Sequence, residues 1–337
     1  MKGNLKILGL GGMGINVVHS VIGKLPTGED FADYNITLMD TTEATISNYP
    51  SLQNNFIKIN PTKNKNKELD GLSGERKNKL VVEDIRHNVE EFVDKLTINK
   101  NDYYVLLFSS SGGSGNIIGS ILTKELLKKN ANVLVVTTID SSNYLVTHNS
   151  IKTLESLDML SRSLNKPLLL SIFSNNNRDA ISTPDSERRV NTDILKLLAI
   201  LSMYVSGSTH DLDHQDMSNF FNPSNYKTFR VEPGLYHLDV GMNDISRRDD
   251  VLLSRTLLAI DREDVKLPRN ILHNKTGYAT KGHVEKFGEN NFPMYLLYVK
   301  NKPAEIHSLL KEDLNRLEVT NRTTSLVSDE NDDDLIF

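Results

Sequence analysis

Ser109 to Ser120 reads SSSGGSGNIIGS, and those residue types suit one task. The segment follows an apolar run, Tyr103–Phe108, with the composition of a buried strand, and leads into the helix-periodic stretch Ile117–Leu127. Serine and glycine between a strand and a helix present several backbone N–H groups to one point, at the positive end of the helix dipole, which is how a phosphate is cradled. A second such loop opens the chain: Leu5–Leu10, then Gly11, Gly12, Met13 and Gly14, then another helix. Two of these loops in one α/β domain suit a polyphosphate gripped from two sides. A third group carries charge: Asp211, Asp213 and Asp216 in the run DLDHQD. Taken alone, three aspartates after a helix read as a solvated loop. With His210 and His214 beside them, a metal site is a further alternative.

The elements that must position these groups follow from the hydrophobic pattern. Apolar runs rich in Val, Ile and Leu recur at Leu5–Leu10, Ile36–Met39, Tyr103–Phe108, Val133–Val136 and Leu168–Phe173, with helical patterns such as Val81–Phe92 and Ile117–Leu127 between several of them. Strands apolar on both faces that alternate with helices predict an α/β fold with a doubly wound parallel sheet. A long helix, Glu187–Val205, carries a broad apolar face and stops before Gly207. Strand-like pieces at Lys227–Val231, Tyr236–Val240 and Met294–Val299, a helix around Val251–Ile260 and a final helix over Ala304–Leu317 predict a smaller α+β domain. The expected organisation is thus residues 1–186, a nucleotide-binding domain; 187–206, a central helix; 207–317, a C-terminal domain with the acidic loop; and 318–337, an acidic tail.

Composition narrows the classes. The chain has 337 residues, 38% hydrophobic and 25% charged, with no cysteine, so disulfides and thiolate chemistry are excluded. No apolar run approaches the length of a membrane span, and MKGNLKILGLGG goes straight into a strand without a signal-peptide shape, which leads us to expect a cytoplasmic protein. The net charge of −5 matches the five acids Asp329, Glu330, Asp332, Asp333 and Asp334, so the rest of the chain is balanced and no direct nucleic-acid binding is expected.

Gly9 to Gly14 also satisfies G-x-G-x-x-G, and Asp40 closes the next strand where a ribose-binding acid would sit, so an NAD-dependent oxidoreductase is a rival. A dinucleotide site uses one helix N-terminus on its pyrophosphate and has no need of the second loop.

The order of the loops resembles that of the tubulin/FtsZ superfamily of GTP-dependent filament proteins. Where that family has GGGTGTG after its fourth strand, this chain has Ser111, Gly112, Gly113, Ser114, Gly115, Asn116 and Ile117; the Ser114 hydroxyl replaces the first threonine, and Ser111 and Ile117 replace two glycines. Gly11, Gly12, Met13, Gly14, Ile15 and Asn16 resemble the family's first loop, GGGGxN. Asp40 and Thr41 stand at the second loop, and Gly71–Glu75, with Gly74, at the γ-phosphate-sensing third. Asn175 and Asn176 fall where the family contacts ribose and base, and Asn191 resembles the residue that reads the guanine edge. Asp211–Asp216 is similar to the family's acidic loop N-x-D-F-A-D, with Asp213 and Asp216 on its acidic positions and Asp211 in place of the asparagine.

The resemblance implies a GTPase that holds GTP or GDP with Mg²⁺ and is completed when the acidic loop of the next subunit covers the nucleotide. Short length and an acidic ending look most like the phage-encoded tubulins (PhuZ type), with the plasmid or prophage segregation tubulins (TubZ type) as the alternative. The implied partner is the chain itself, head to tail in cytomotive filaments that position phage DNA or its compartment and carry nucleoprotein or capsid cargo. The acids of the tail are followed by Leu335, Ile336 and Phe337, an ending suited to docking on a neighbour. Arg247–Arg248 and Lys275–Lys281 are candidate receivers. Lys63, Lys65 and Lys67 read as a solvated run.

Overall fold

The computed structural model describes residues 2–59, 79–175, 182–242, 245–260 and 265–323. Ten strands form one sheet: β1 (Asn4–Leu10), β2 (Asp33–Asp40), β3 (Phe56–Lys58), β4 (Asp102–Ser109), β5 (Asn132–Ile139), β6 (Leu168–Ser174), β7 (Leu235–Met242), β8 (Val251–Leu258), β9 (His273–Tyr278) and β10 (Met294–Val299). Their order is β3-β2-β1-β4-β5-β6-β7-β10-β8-β9. Neighbours from β3 through β7 run parallel; β10 is antiparallel to both β7 and β8, and β9 is parallel to β8. Among the described residues the α-helices are α1 (Gly11–Val21), α2 (Lys79–Asp94), α3 (Ser114–Lys128), α4 (Tyr144–Ser163), α5 (Thr183–Val205), α6 (His214–Phe221), α7 (Lys281–Phe287) and α8 (Lys302–Thr323).

Alternate residues of each central strand enter opposite cores, which is why the strands read as unbroken apolar runs. Leu5, Ile7, Tyr103, Val105 and Leu107 face a core shared with Val17 and Val18 of α1, Ile194 and Leu198 of α5 and Phe220 of α6. Leu8, Leu10, Tyr104, Leu106 and Phe108 face a second core with Ile85 and Val89 of α2, Ile118 and Leu122 of α3, Leu154 of α4 and Leu310 of α8. The chain leaves β1 for β2 on one side and β4 for β5 on the other. The gap between β1 and β4 is therefore the switch point at which open α/β sheets bind ligands.

Several expectations are corrected. Val251–Ile260 is the strand β8 rather than a helix: its residues are buried on both faces, so no period separates the two readings, and pairing with β10 decides. Lys227–Val231 lies outside any strand, whereas the polar HNKTGY, which has no apolar strand pattern, forms the edge β9. The final helix is longer than expected and runs to Thr323. The second half has the expected mixture of strands and helices, and its strands join the sheet through the β6–β7 pair. Among the described residues, no helix is long and apolar enough to cross a membrane.

Candidate functional site

Two helix N-termini converge at the switch point. α1 follows β1 without a gap, and α3 follows β4 through Ser110–Gly113. Gly11 takes φ +67°, open to glycine at little strain, and a Cβ on it would lie 2.8 Å from the Cα of Gly115. A Cβ on Gly115 would lie 2.5 Å from the Leu10 carbonyl oxygen. The two loops are thus in van der Waals contact because neither carries a side chain at the crossing.

Capping sets these two helices apart from α4, α5, α6 and α7. Asn143, Ser182, Asp213 and Thr280 cap α4, α5, α6 and α7 with their side chains. The N-caps of α1 and α3, Leu10 and Gly113, make no side-chain cap bond. A helix leaves its first four N–H groups without intrahelical partners. Here two sets of such donors, each at a positive dipole end, face one place. That is an anion site built from backbone.

The other residues expected here divide into those at the cradle and those held elsewhere. Asp40, 2% exposed at the end of β2, accepts from the Ser114 hydroxyl at 2.6 Å and from the Thr41 N–H at 2.7 Å. Burial is the main influence on its carboxyl and raises its pKa above the ordinary 3.8, against these hydrogen bonds. The carboxylate that a dinucleotide site would turn to a ribose is therefore turned into the cradle. Gly12 lies beside Thr45, Met13 packs on the core, and a Cβ on Gly112 would make ordinary van der Waals contact with Ser109. The Ser111 hydroxyl bonds that of Ser109 at 2.9 Å. The Asn116 side chain is directed inward, donating to the Ser110 carbonyl at 2.7 Å and to Thr153, so only its backbone faces the cradle side. Asn16 is exposed, and its Oδ1 accepts from the Tyr49 hydroxyl at 2.9 Å.

Asn175 follows β6, and its N–H donates to the Ile139 carbonyl at 3.0 Å. Asn191 lies further along α5 and lines a cavity of about 270 Å³ with Ser20 and Lys24, beside the far end of α1 rather than its first turn. Gly74, the rest of Gly71–Glu75, the lysines at 63, 65 and 67, and Asn176 lie outside the described residues. Three neighbours escaped the sequence reading. Tyr49 stacks on His19 at 4.0 Å; Asn149 donates to the Ser111 carbonyl at 3.4 Å; Lys58 pairs in register with Asp40 and reaches Glu43 at 3.6 Å. No local motif marks them, since each arrives from another element.

The acidic turn lies at the opposite edge of the sheet. α5 brings the chain from the cradle end to the start of β1, where the Gly3 N–H donates to the Ser206 carbonyl at 3.2 Å. His210 and Tyr278 then exchange backbone hydrogen bonds, Asp211 takes φ +63°, and Leu212 is buried at 1% exposure. Asp213 and Asp216 form a capping box: the Asp213 carboxylate accepts from the Asp216 N–H at 2.8 Å, and that of Asp216 accepts from the Asp213 N–H at 3.2 Å. Asp211 and Asp213 are exposed and Asp216 half-buried, with Lys275 3.8 Å from Asp216. At about 3.3 Å per residue, the seven residues of β1 put roughly 23 Å between this turn and the cradle. One chain cannot bring the two together.

The remaining alternatives fare as follows. Among the described residues, no group of three or more His, Asp and Glu could hold a metal ion, so the turn with His210 and His214 is not such a cluster. Arg248 is not an open receiver for the tail, because Asp239 and Asp250 already accept from it at 3.0 and 3.2 Å. The acids at 329, 330, 332, 333 and 334 lie outside the described residues.

No protein-family model matches the chain. It is 27% identical over 175 residues to a phage tubulin-like protein of Pseudomonas phage PhiPA3, covering 52% of this chain and 53% of that one. A protein of the same description from Pseudomonas phage 201phi2-1 is 24% identical over 152 residues, 44% of each. The chain thus spans about half the length of the curated relatives it matches. The protofilament structure of TubZ from Bacteriophage PhiKZ superposes over 97% of this chain and 95% of that chain, with a TM-score of 0.78 at 19% identity. The phage tubulin PhuZ–GDP structure gives the same coverage and TM-score at 16% identity. An FtsZ of M. jannaschii gives a TM-score of 0.60 at 14% identity, covering 89% of this chain and 91% of that one. The fold is that of the tubulin/FtsZ superfamily. Over about half its length the chain is similar in sequence to phage tubulin-like proteins.

Proposed function

We propose that the chain is a GTPase that polymerises head to tail, the cradle of one subunit holding GTP and the acidic turn of the next completing the hydrolytic site. The observation that carries this reading is the placement of the two half-sites at opposite ends of the same parallel strands, roughly 23 Å apart. Stacking subunits along the strand direction brings the cradle of one to the turn of another.

The free N–H groups of α1 and α3 would hold the phosphates, and Ser114 and Asp40 would flank them. A buried carboxylate beside polyphosphate calls for a cation between them, and Asp40 would share Mg²⁺ with phosphate oxygens; Mg²⁺ commonly takes one or two carboxylates plus substrate phosphates. Asp213 and Asp216 would orient and polarise the attacking water, with positioning and charge stabilisation supplying most of the acceleration. Hydrolysis would then depend on assembly, because no single subunit holds both halves. Asn175 and Asn191 are the residues we assign to ribose and base. Their amides can pair with the guanine edge, which favours GTP over ATP.

The names of the similar proteins, tubulin-like and phage-encoded, support a filament that positions phage DNA or its compartment, and moves nucleoprotein or capsid cargo, in the host cytoplasm. The tail at 329–337 would dock on the neighbouring subunit.

Right-angle light scattering against protein concentration, with GTP, Mg²⁺ and parallel phosphate release, tests this reading. We expect scattering to rise sharply above a critical concentration, with release coupled to it. GTP binding without scattering or release would leave a nucleotide-binding scaffold, and no GTP binding would sink the proposal. Deleting Asp329–Phe337 should raise the critical concentration while leaving GTP binding by the subunit unchanged; unchanged assembly would remove the tail from the account.

A further inference from the structure

Arg255 on β8 is fully buried; burial lowers its pKa, and the charge of the nearby Asp216 carboxylate opposes that shift without contacting it closely enough for an ion pair among the described residues. Its guanidinium donates to the Ser254 carbonyl at 2.8 Å, the Asp216 carbonyl at 3.0 Å, Nδ1 of His273 at 3.2 Å and the Tyr226 hydroxyl, and it lies 5.3 Å from the centre of the Phe220 ring. Its Nε has no hydrogen-bond partner among the described residues. A buried guanidinium is a poor stabilising device, since an apolar side chain of similar volume often serves as well or better. What Arg255 does contribute is a grip on the first turn of α6 from beneath. Phe220 belongs to α6, Asp216 carries the exposed acidic face, and Tyr226 and His273 tie the same guanidinium to the adjoining loop and to β9.

The opposite flank of α6 is held by neutral groups. Asn132 accepts from Ser218 at 3.2 Å and from Asn222 at 2.7 Å, and the Tyr103 hydroxyl donates to the His214 carbonyl at 3.4 Å. Those bonds fix where the helix lies. Arg255 acts on the residue that carries one of the two acids.

We propose that Arg255 is the positioning residue of the acidic turn, fixing through the Asp216 carbonyl the direction in which Asp213 and Asp216 face the nucleotide of a second copy of this chain. The proposal rests on the hydrolytic reading of that turn. Arg255 itself is buried away from any partner and touches no substrate.

A double-mutant cycle on the full chain tests it, reading GTP binding, sedimentation with a non-hydrolysable GTP analogue and phosphate release per sedimented subunit. Arg255→Met should keep GTP binding and sedimentation within about twofold and slow release at least tenfold. In a background carrying both Asp213→Asn and Asp216→Asn, Arg255→Met should change release by less than about twofold, because the turn then has no acid to aim. Effects that multiply in the combined variant would reduce Arg255 to general packing and overturn the proposal, as would unchanged release in Arg255→Met. If Arg255→Met fails to fold by circular dichroism, Tyr226→Phe removes one hydroxyl from the guanidinium while keeping the ring, and the same cycle is run with it. Wild-type release by Asp213→Asn alone would sink the hydrolytic reading of the turn, a failure distinct from that of Arg255.

Discussion

The two edges of the parallel sheet use the same device, the first turn of a helix, in opposite ways. At the strand C-termini, α1 and α3 begin without side-chain caps, and their N–H groups and dipoles remain available to an anion. At the strand N-termini, α6 begins with Asp213 and Asp216 satisfying its own donors. One edge is built from glycine and backbone and draws negative charge in. The other is built from carboxylates and presents negative charge outward. What a helix N-terminus does here depends on whether the chain supplies its own cap. The pairing of a receptive edge with an acidic one also explains why copies of the chain would stack with a fixed polarity.

The largest effect should come from closing the receptive edge. Gly115→Ala puts a Cβ 2.5 Å from the Leu10 carbonyl oxygen, and backbone on both sides leaves no flexible group to yield. Overpacking of this kind costs about 1–3 kcal/mol, and separating α1 from α3 should abolish GTP binding. Equilibrium binding with a fluorescent GTP analogue, beside a thermal melt, checks this. Binding near the wild-type level would mean that the cradle is not where the nucleotide sits. Next comes the acidic edge. Asp213→Asn keeps an N-cap of equal quality and removes only the charge, so subunit stability and GTP binding should stay unchanged. Phosphate release per assembled subunit should fall by roughly ten- to a hundredfold, about 1.4–2.7 kcal/mol in transition-state stabilisation.

The receptive edge was the more legible of the two in the sequence, for a physical reason. Its parts are contiguous: a strand, a glycine loop and a helix follow one another, so SSSGGSGN and GLGGMG carry their own context. The buried strands were equally plain, because residues apolar on both faces need no partner to be recognised. What failed depends on neighbours distant in the chain. VLLSRTLLAI has no decisive period, and β10, more than thirty residues later, makes it a strand. The polar HNKTGY becomes β9 because it lines an exposed edge. In the acidic turn, the sequence shows the aspartates but not their pairing in a capping box. Nor does it mark Arg255, whose role appears only when β8 lies beneath α6.

The capping box sharpens the comparison at smaller magnitude. Asp213→Ala removes both the charge and the cap, so it should lose the same hydrolysis as Asp213→Asn and, in addition, about 1 kcal/mol of stability. Differential scanning calorimetry of the two variants should separate them by about 1–2 °C. Equal melting temperatures would mean that the box contributes nothing to the fold and that the aspartates serve chemistry alone.

The smallest effect should be a pH dependence confined to the receptive edge. Burial raises the Asp40 pKa above 3.8, so between 3.8 and its folded value the native state holds more protons than the unfolded chain. Stability must then fall as pH rises through that window, and the ionised carboxylate weakens the ligand-free fold at neutral pH. Asn at position 40 keeps an acceptor for Ser114 and for the Thr41 N–H but carries no charge. The melting temperature of ligand-free Asp40→Asn, minus that of the wild type, should therefore increase from about pH 4 to about pH 7. GTP with Mg²⁺ should reverse the order by stabilising the wild type more, because a cation shared with phosphate would remove the reason for which the charge is unfavourable. A difference that stays flat with pH would mean that solvent reaches Asp40 freely, and the contrast between a buried, charge-hungry edge and an exposed, acidic one would lose its electrostatic half.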